Sequence, residues 1–129
     1  VGLVGGIAQR LRLPADCRDL ALLVARYHGD IHRALSLRPD TVLTLLEATD
    51  AFRRPARFAE ILQACEADFR GRPGYEALPY ASTAHLQRAL SLAAAVDAAR
   101  LAEANPGRER ETIHAARLAS LRAMAAGEN

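Results

Sequence analysis

Apolar residues recur at intervals of three and four along most of the chain, the spacing that gathers them on one face of an α-helix. No segment alternates as a half-buried strand would, and no internal repeat stands out. The pattern predicts a first helix to about Arg12, then a second opening at Leu13 to Ala15, with Pro14 tolerated in its first turn. Cys17, Leu20, Val24 and Tyr27 share one face of that second helix, and Gly29 marks its end. Asp30 is placed to cap a short helix through about Leu35. Arg38-Pro39-Asp40 restarts the chain, with Val42, Leu45, Leu46 and Thr49 on one face as far as Phe52.

Pro55 opens the next helix, whose buried stripe is predicted to be Phe58, Ile61, Leu62 and Cys65 and which stops near Gly71. From Gly71 to Ser82 the periodicity breaks around Pro73-Gly74 and Pro79. Tyr75, Leu78 and Tyr80 within that stretch imply a loop packed down on the helices. Ser82 is the predicted cap of a long helix to about Glu103, Asn105-Pro106-Gly107 a turn, and the last helix ends near Ala125. The expected fold is an all-α multi-helix bundle.

Composition narrows the function classes. The 129 residues suffice for one domain with a real core. Half are hydrophobic, but alanine and leucine dominate, aromatics are 5% and tryptophan is absent, which is helix-forming material. No run approaches the ~20 apolar residues that span a bilayer, and Val1 to Ile7 lacks a basic start and a cleavage site. A cytoplasmic protein without a membrane partner is expected. Cys17 and Cys65, without C-x-x-C spacing, read as buried structural thiols. All 17 basic residues are arginine. That suits phosphate recognition, yet a coding sequence rich in G and C explains abundant Ala, Leu and Arg together. The net charge of +2 is too small to require a nucleic-acid partner.

Some residues could carry chemistry. His28 and His32 have the four-residue spacing of a metal-binding pair, although a helix break at Gly29 would separate them. Asp50 reads as a helix-end carboxylate paired with Arg53 or Arg54. Glu66 and Arg70 stand in the favourable order for a helical ion pair. With Asp68 and Arg72 they form a charge cluster that clamps the helix end and the following turn, or in which Arg70 and Arg72 face phosphates while Glu66 and Asp68 hold them. Arg53, Arg54 and Arg57 could extend such a patch or form a solvated face. Tyr75 and Tyr80 could stack on bases or anchor their loop.

The text Asp50-Ala51-Phe52-Arg53-Arg54-Pro55, followed by Cys65-Glu66-Ala67-Asp68-Phe69-Arg70-Gly71-Arg72-Pro73-Gly74-Tyr75-Glu76, closely resembles the region after the HD domain in the class II CCA-adding enzymes of proteobacteria. Arg10-Leu11-Arg12-Leu13-Pro14, Arg18-Asp19-Leu20-Ala21 and Tyr27-His28-Gly29-Asp30-Ile31-His32 extend the likeness to about four fifths of the chain. The resemblance implies a C-terminal piece of a longer CCA tRNA nucleotidyltransferase. Residues 1–70 would be the back half of an HD-type helical domain, and 71–129 a packed loop and helical tail.

It implies tRNA as partner, not DNA, with CTP and ATP as the parent's substrates, magnesium in its transferase head and a further divalent metal in its HD phosphohydrolase domain. The Gly-Ser strand and paired aspartates of that head have no counterpart here, so no catalytic residue and no cofactor are expected in this segment. By position the resemblance makes His28 and Asp50 the HD-metal candidates, though Gly29 stands where the family writes Asp. It makes Arg53, Arg54, Arg57, Arg70 and Arg72 the candidate RNA-phosphate contacts. A remnant of a freestanding HD phosphohydrolase and a non-catalytic helical interaction module are the other readings, and oligomeric state is open.

Overall fold

The computed structural model describes residues 15–127, with side chains from Arg18 onward, so the expected helix to Arg12 and the Cys17 thiol lie outside the described residues. Six α-helices follow one another: α1 (Ala15–His32), α2 (Pro39–Ala48), α3 (Pro55–Arg70), α4 (Ala81–Ala94), α5 (Ala98–Ala104) and α6 (Glu109–Ala125). A short 3-10 helix at Ala34–Ser36 joins the first two. There is no strand among the described residues, as the three-and-four periodicity requires.

Helix α3 bears the stripe its sequence spells: Phe58, Ile61, Leu62 and Cys65 are all fully buried. Pro39 and Pro55 each sit in the first turn of their helices, where a missing N–H costs nothing. Helix α1 lies along α3, while α6 crosses α2, α4 and α5. Ile31, Leu43, Leu46, Leu86, Ala93 and Leu121 join the α3 stripe in a single core cluster that includes residues from both sides of the 71–80 loop. Leu20, Val24 and Tyr27 pack against its edge. Burial pushes the Cys65 thiol up to about 11, with the Asp68 carboxylate adding to the effect, so it is a packing group and a poor nucleophile.

Four boundaries differ from expectation, each for a tertiary reason. Helix α1 runs through Gly29 to His32, because a mid-helix glycine costs only ~1 kcal/mol and the turn beyond it buries Ile31 completely. Asp30 therefore caps nothing; it pairs with Arg33 at 2.7 Å. Helix α2 stops at Ala48 and not at Phe52, closed by hydrogen bonds from Asp50 N–H to the Glu47 carbonyl and from Ala51 N–H to the Leu46 carbonyl. These are the paired bonds of a Schellman turn. Asp50 takes its left-handed position with φ 56°.

Ser82 is not a cap either. It lies buried in the first turn of α4, and its hydroxyl donates across to the His32 carbonyl at 3.4 Å. The long helix to Glu103 is instead two, since Asp97 accepts a hydrogen bond from Arg100 N–H at 3.0 Å and so caps α5 separately.

Removing the centre of the α3 stripe tests the packing. Leu62→Ala is expected to cost about 2–5 kcal/mol, read from the shift in urea midpoint; an unchanged midpoint would place the core on another face.

Candidate nucleic-acid interface

The five arginines that the sequence singles out sit at the two ends of α3. Arg53, Arg54 and Arg57 flank its N-terminus, and Arg70 and Arg72 its C-terminus. The intervening helical rise of 1.5 Å per residue puts the two groups roughly 20 Å apart along the axis. The structure does not bring them into one patch.

Their environments differ more than their spacing. Arg53 is 84% exposed at the side chain and meets Asp50 only at 3.8 Å, a contact worth little in water. Arg54 supplies the N-cap position of α3, its carbonyl accepting from Phe58 N–H at 3.1 Å. Arg57 reaches back to donate to the Thr49 carbonyl at 2.7 Å, adding a side-chain bond at the residue that follows α2.

At the other end Arg70 is fully engaged. It grips Glu66 through Nε at 3.1 Å and Nη2 at 3.0 Å, and its Nη1 donates to the carbonyls of Leu78 at 2.5 Å and Glu76 at 3.4 Å. Glu66 also accepts from the Thr83 hydroxyl at 2.9 Å. That hydrogen bond and the Arg70 guanidinium hold the Glu66 carboxyl below the usual carboxylate range. Arg72 is half exposed, 3.8 Å from Asp68 and 5.9 Å above the Tyr75 ring.

A polar knot beside this clamp has no sequence signature. His32, on α1, bridges Tyr80 Oη at 2.7 Å and Asp68 Oδ2 at 3.3 Å. A neutral imidazole satisfies both by donating from Nε2 to the carboxylate and accepting the phenol proton at Nδ1. Burial, with smaller contributions from neighbouring Cys65 and acidic groups, pushes the Tyr80 phenol up to about 12. Phe69 stacks at 4.9 Å from Tyr80 and 5.0 Å from Tyr75, so Tyr80 is an anchor. Nothing in the spacing of residues 32, 68 and 80 announces the contact, because it forms only once three elements have met.

The unbroken α1 does set His28 and His32 on one face, ring centroids 5.8 Å apart. His28, however, is directed to the Ala25 carbonyl at 3.0 Å, and Asp50 turns to Arg53. No group of three or more His, Cys, Asp or Glu side chains that could hold a metal occurs among the described residues. These donors do not fit a metal centre by themselves. A second unannounced contact, His114 to Glu47 at 2.9 Å, ties α6 to α2 beside an open groove of about 850 Å³. Glu109, Glu111, Arg110 and Arg117 also line that groove, and the mixed charge does not favour a polyanion.

Comparison with known proteins gives one consistent family. A multifunctional CCA protein of Nitrosomonas europaea is 57% identical over 102 residues, 79% of this chain and 25% of that protein. Those of Cupriavidus necator and Dechloromonas aromatica are 51% and 48% identical over 97% and 96% of the chain, in each case 31% of the relative. The chain thus spans a quarter to a third of the length of the curated relatives it matches. No family model matches the chain, and no solved structure does.

Two stability measurements follow. Asp50→Gly relieves a left-handed residue and is expected to leave stability unchanged or to raise it by up to about 1 kcal/mol, whereas Asp50→Val should cost about 1–2 kcal/mol. Glu66→Gln should be less stable than wild type at pH 7. Because the folded-state pKa of Glu66 is lowered, its contribution is present above the ordinary carboxylate range and is lost as pH falls through the folded value. Thermal melts of the two proteins should therefore converge towards acid pH; a constant gap would exclude the carboxylate's charge as the cause.

Proposed function

From the chain's homology to one part of the multifunctional CCA proteins, we propose that it is the C-terminal helical region of an enzyme that adds cytidine, cytidine and adenosine to tRNA 3′ ends. In this reading CTP, ATP and divalent metal ions are handled elsewhere in the enzyme, and the present segment helps position tRNA. The observation that carries it is identity of about one half, sustained over 96–97% of the chain, with relatives of that printed name.

The side-chain environments refine the division of labour. Arg57 and Arg70 serve backbone carbonyls, while Arg53 and Arg72 keep exposed guanidinium groups whose contacts are long: a carboxylate at 3.8 Å in each case and, for Arg72, the Tyr75 ring at 5.9 Å. Phosphate contact therefore falls first to Arg53 and Arg72, whose planar forks suit phosphate oxygens. A contribution to an HD phosphohydrolase would draw on His28 and Asp50 as part of a ligand set completed by residues beyond those described. No step of such chemistry can be assigned to these two alone.

The test is tRNA binding by the 129-residue chain over a salt series. Weak, salt-dependent binding is expected, with the slope of log affinity against log salt reduced by about 0.7–0.9 for each of Arg53→Ala and Arg72→Ala. Incubation with tRNA lacking its 3′ end, CTP, ATP and magnesium should give no nucleotide incorporation. Equal slopes for wild type and the double variant, with melting unchanged, would remove these arginines from the RNA surface; incorporation above background would overturn the assignment of the chemistry to another part of the enzyme.

A further inference from the structure

Residues 71–79 are all exposed, yet the loop they form is held at many points. Arg70 grips the carbonyls of Glu76 and Leu78 from below. Within the loop Tyr75 N–H donates to the Arg72 carbonyl at 2.9 Å, and Leu78 N–H to the Tyr75 carbonyl at 3.2 Å. Gly74 makes the bend between them at φ 85°, a conformation open to glycine at little cost. Exposure here is a property of a built surface and not of an untethered segment.

What that surface displays is unusual for a connection. Tyr75 is 37% exposed and Leu78 43%, two of the few large apolar side chains that the described residues leave in water. The Tyr75 ring is fixed by its T-shaped contact with Phe69 and carries the Arg72 guanidinium on a face. Tyr80, two residues beyond Leu78, is spent on His32 and Phe69.

We propose that Arg72, Tyr75 and Leu78 form a stacking platform for an unpaired RNA base, with Arg72 meeting the adjoining phosphate. This rests on the tRNA reading above and names the surface and the type of contact. A ring already held in place loses little freedom on binding, and a base can stack on tyrosine or on a guanidinium plane with similar ease. Leu78 adds a second exposed apolar side chain on the same loop, its N–H bonded to the Tyr75 carbonyl. Glu76 balances Arg72 in formal charge, so the platform's grip comes from the flat ring, and its share of salt dependence is one phosphate at most.

The test uses the whole chain and an unmodified tRNA. Tyr75→Leu, which keeps apolar bulk and loses the flat ring, is expected to weaken binding by roughly fivefold or more with the salt slope unchanged, while Tyr75→Phe stays near wild type. Arg72→Gln should instead lower the slope by about 0.7–0.9. If Tyr75→Leu binds like wild type while Arg53→Ala still lowers the slope, tRNA is held elsewhere and the platform is wrong although the tRNA reading stands. If Tyr75→Phe loses as much as Tyr75→Leu, a hydroxyl and not a ring is responsible, which also overturns the platform. Wild-type chain that fails to bind tRNA removes both readings together. Should Tyr75→Leu lower the melting temperature, Tyr75→Trp decides: the larger ring must bind at least as tightly as wild type, and weaker binding counts against stacking.

Discussion

The burial of one helical stripe sets the position of α1 and of the connections at its two ends. Phe58, Ile61, Leu62 and Cys65 lose all contact with solvent, and removing such side chains from water at about 25 cal/mol per Å² is the main favourable term available to a chain with few aromatics. Helix α3 is therefore the fixed member against which α1 lies. The same stripe fixes what its opposite ends must do: the Pro55 end meets the close of α2, and the Arg70 end meets the loop to α4. Polar contacts form at both ends: Arg57 donates to the Thr49 carbonyl after α2, and Arg70 to the Glu76 and Leu78 carbonyls of the loop.

The Arg70 end shows how such contacts add up. Arg70 alone ties Glu66 on its own helix to two carbonyls of the loop, and Glu66 carries the connection on to Thr83 in α4. Beside it, His32 joins α1 to Asp68 and Tyr80. None of these charged groups is fully buried, so each hydrogen bond adds modestly, on the order of 1 kcal/mol. Their effect is chiefly on register, because four elements can satisfy all these partners only in one arrangement.

Much of this was legible in the sequence wherever a local rule decides. The α3 stripe, the two first-turn prolines and the Asn105-Pro106-Gly107 turn obey periodicity and backbone sterics, and they stand where those rules put them. The departures occur where a local preference met a tertiary demand. Gly29 prefers a helix end, but burial of Ile31 two residues later outweighs a cost of ~1 kcal/mol. Ser82 suits a cap, yet the His32 carbonyl across the interface claims its hydroxyl. Asp97 is a capping residue overlooked inside an alanine-rich run, where an unbroken helix looked sufficient. Of the candidate site, residue types were visible, but the loop expected to pack down through Tyr75, Leu78 and Tyr80 is part-buried only at Tyr80, leaving Tyr75 and Leu78 exposed; the His32–Tyr80 contact that anchors it joins residues 48 apart and has no local signal.

The absence of lysine makes the arginines hard to read from sequence and easier to sort in three dimensions. A guanidinium offers five N–H donors in a rigid fork, so it can cap several carbonyls at once, a task that an ammonium on a flexible stem does less well. Arg70 uses the fork in that way, on Glu76 with Leu78, while Arg57 gives a single bond to the Thr49 carbonyl. The same fork is what phosphate recognition requires, so residue type cannot separate the two uses. Engagement can: a guanidinium already donating to carbonyls at 2.5–2.7 Å would have to abandon the end of α2 or the loop base to reach an RNA, and the fold would lose those bonds. Arg53 would abandon only a carboxylate contact at 3.8 Å, and Arg72 one of the same length together with the Tyr75 ring at 5.9 Å. Arg70, which holds the loop, and Arg72, which projects from it, are thus complementary, the first making the geometry in which the second can act.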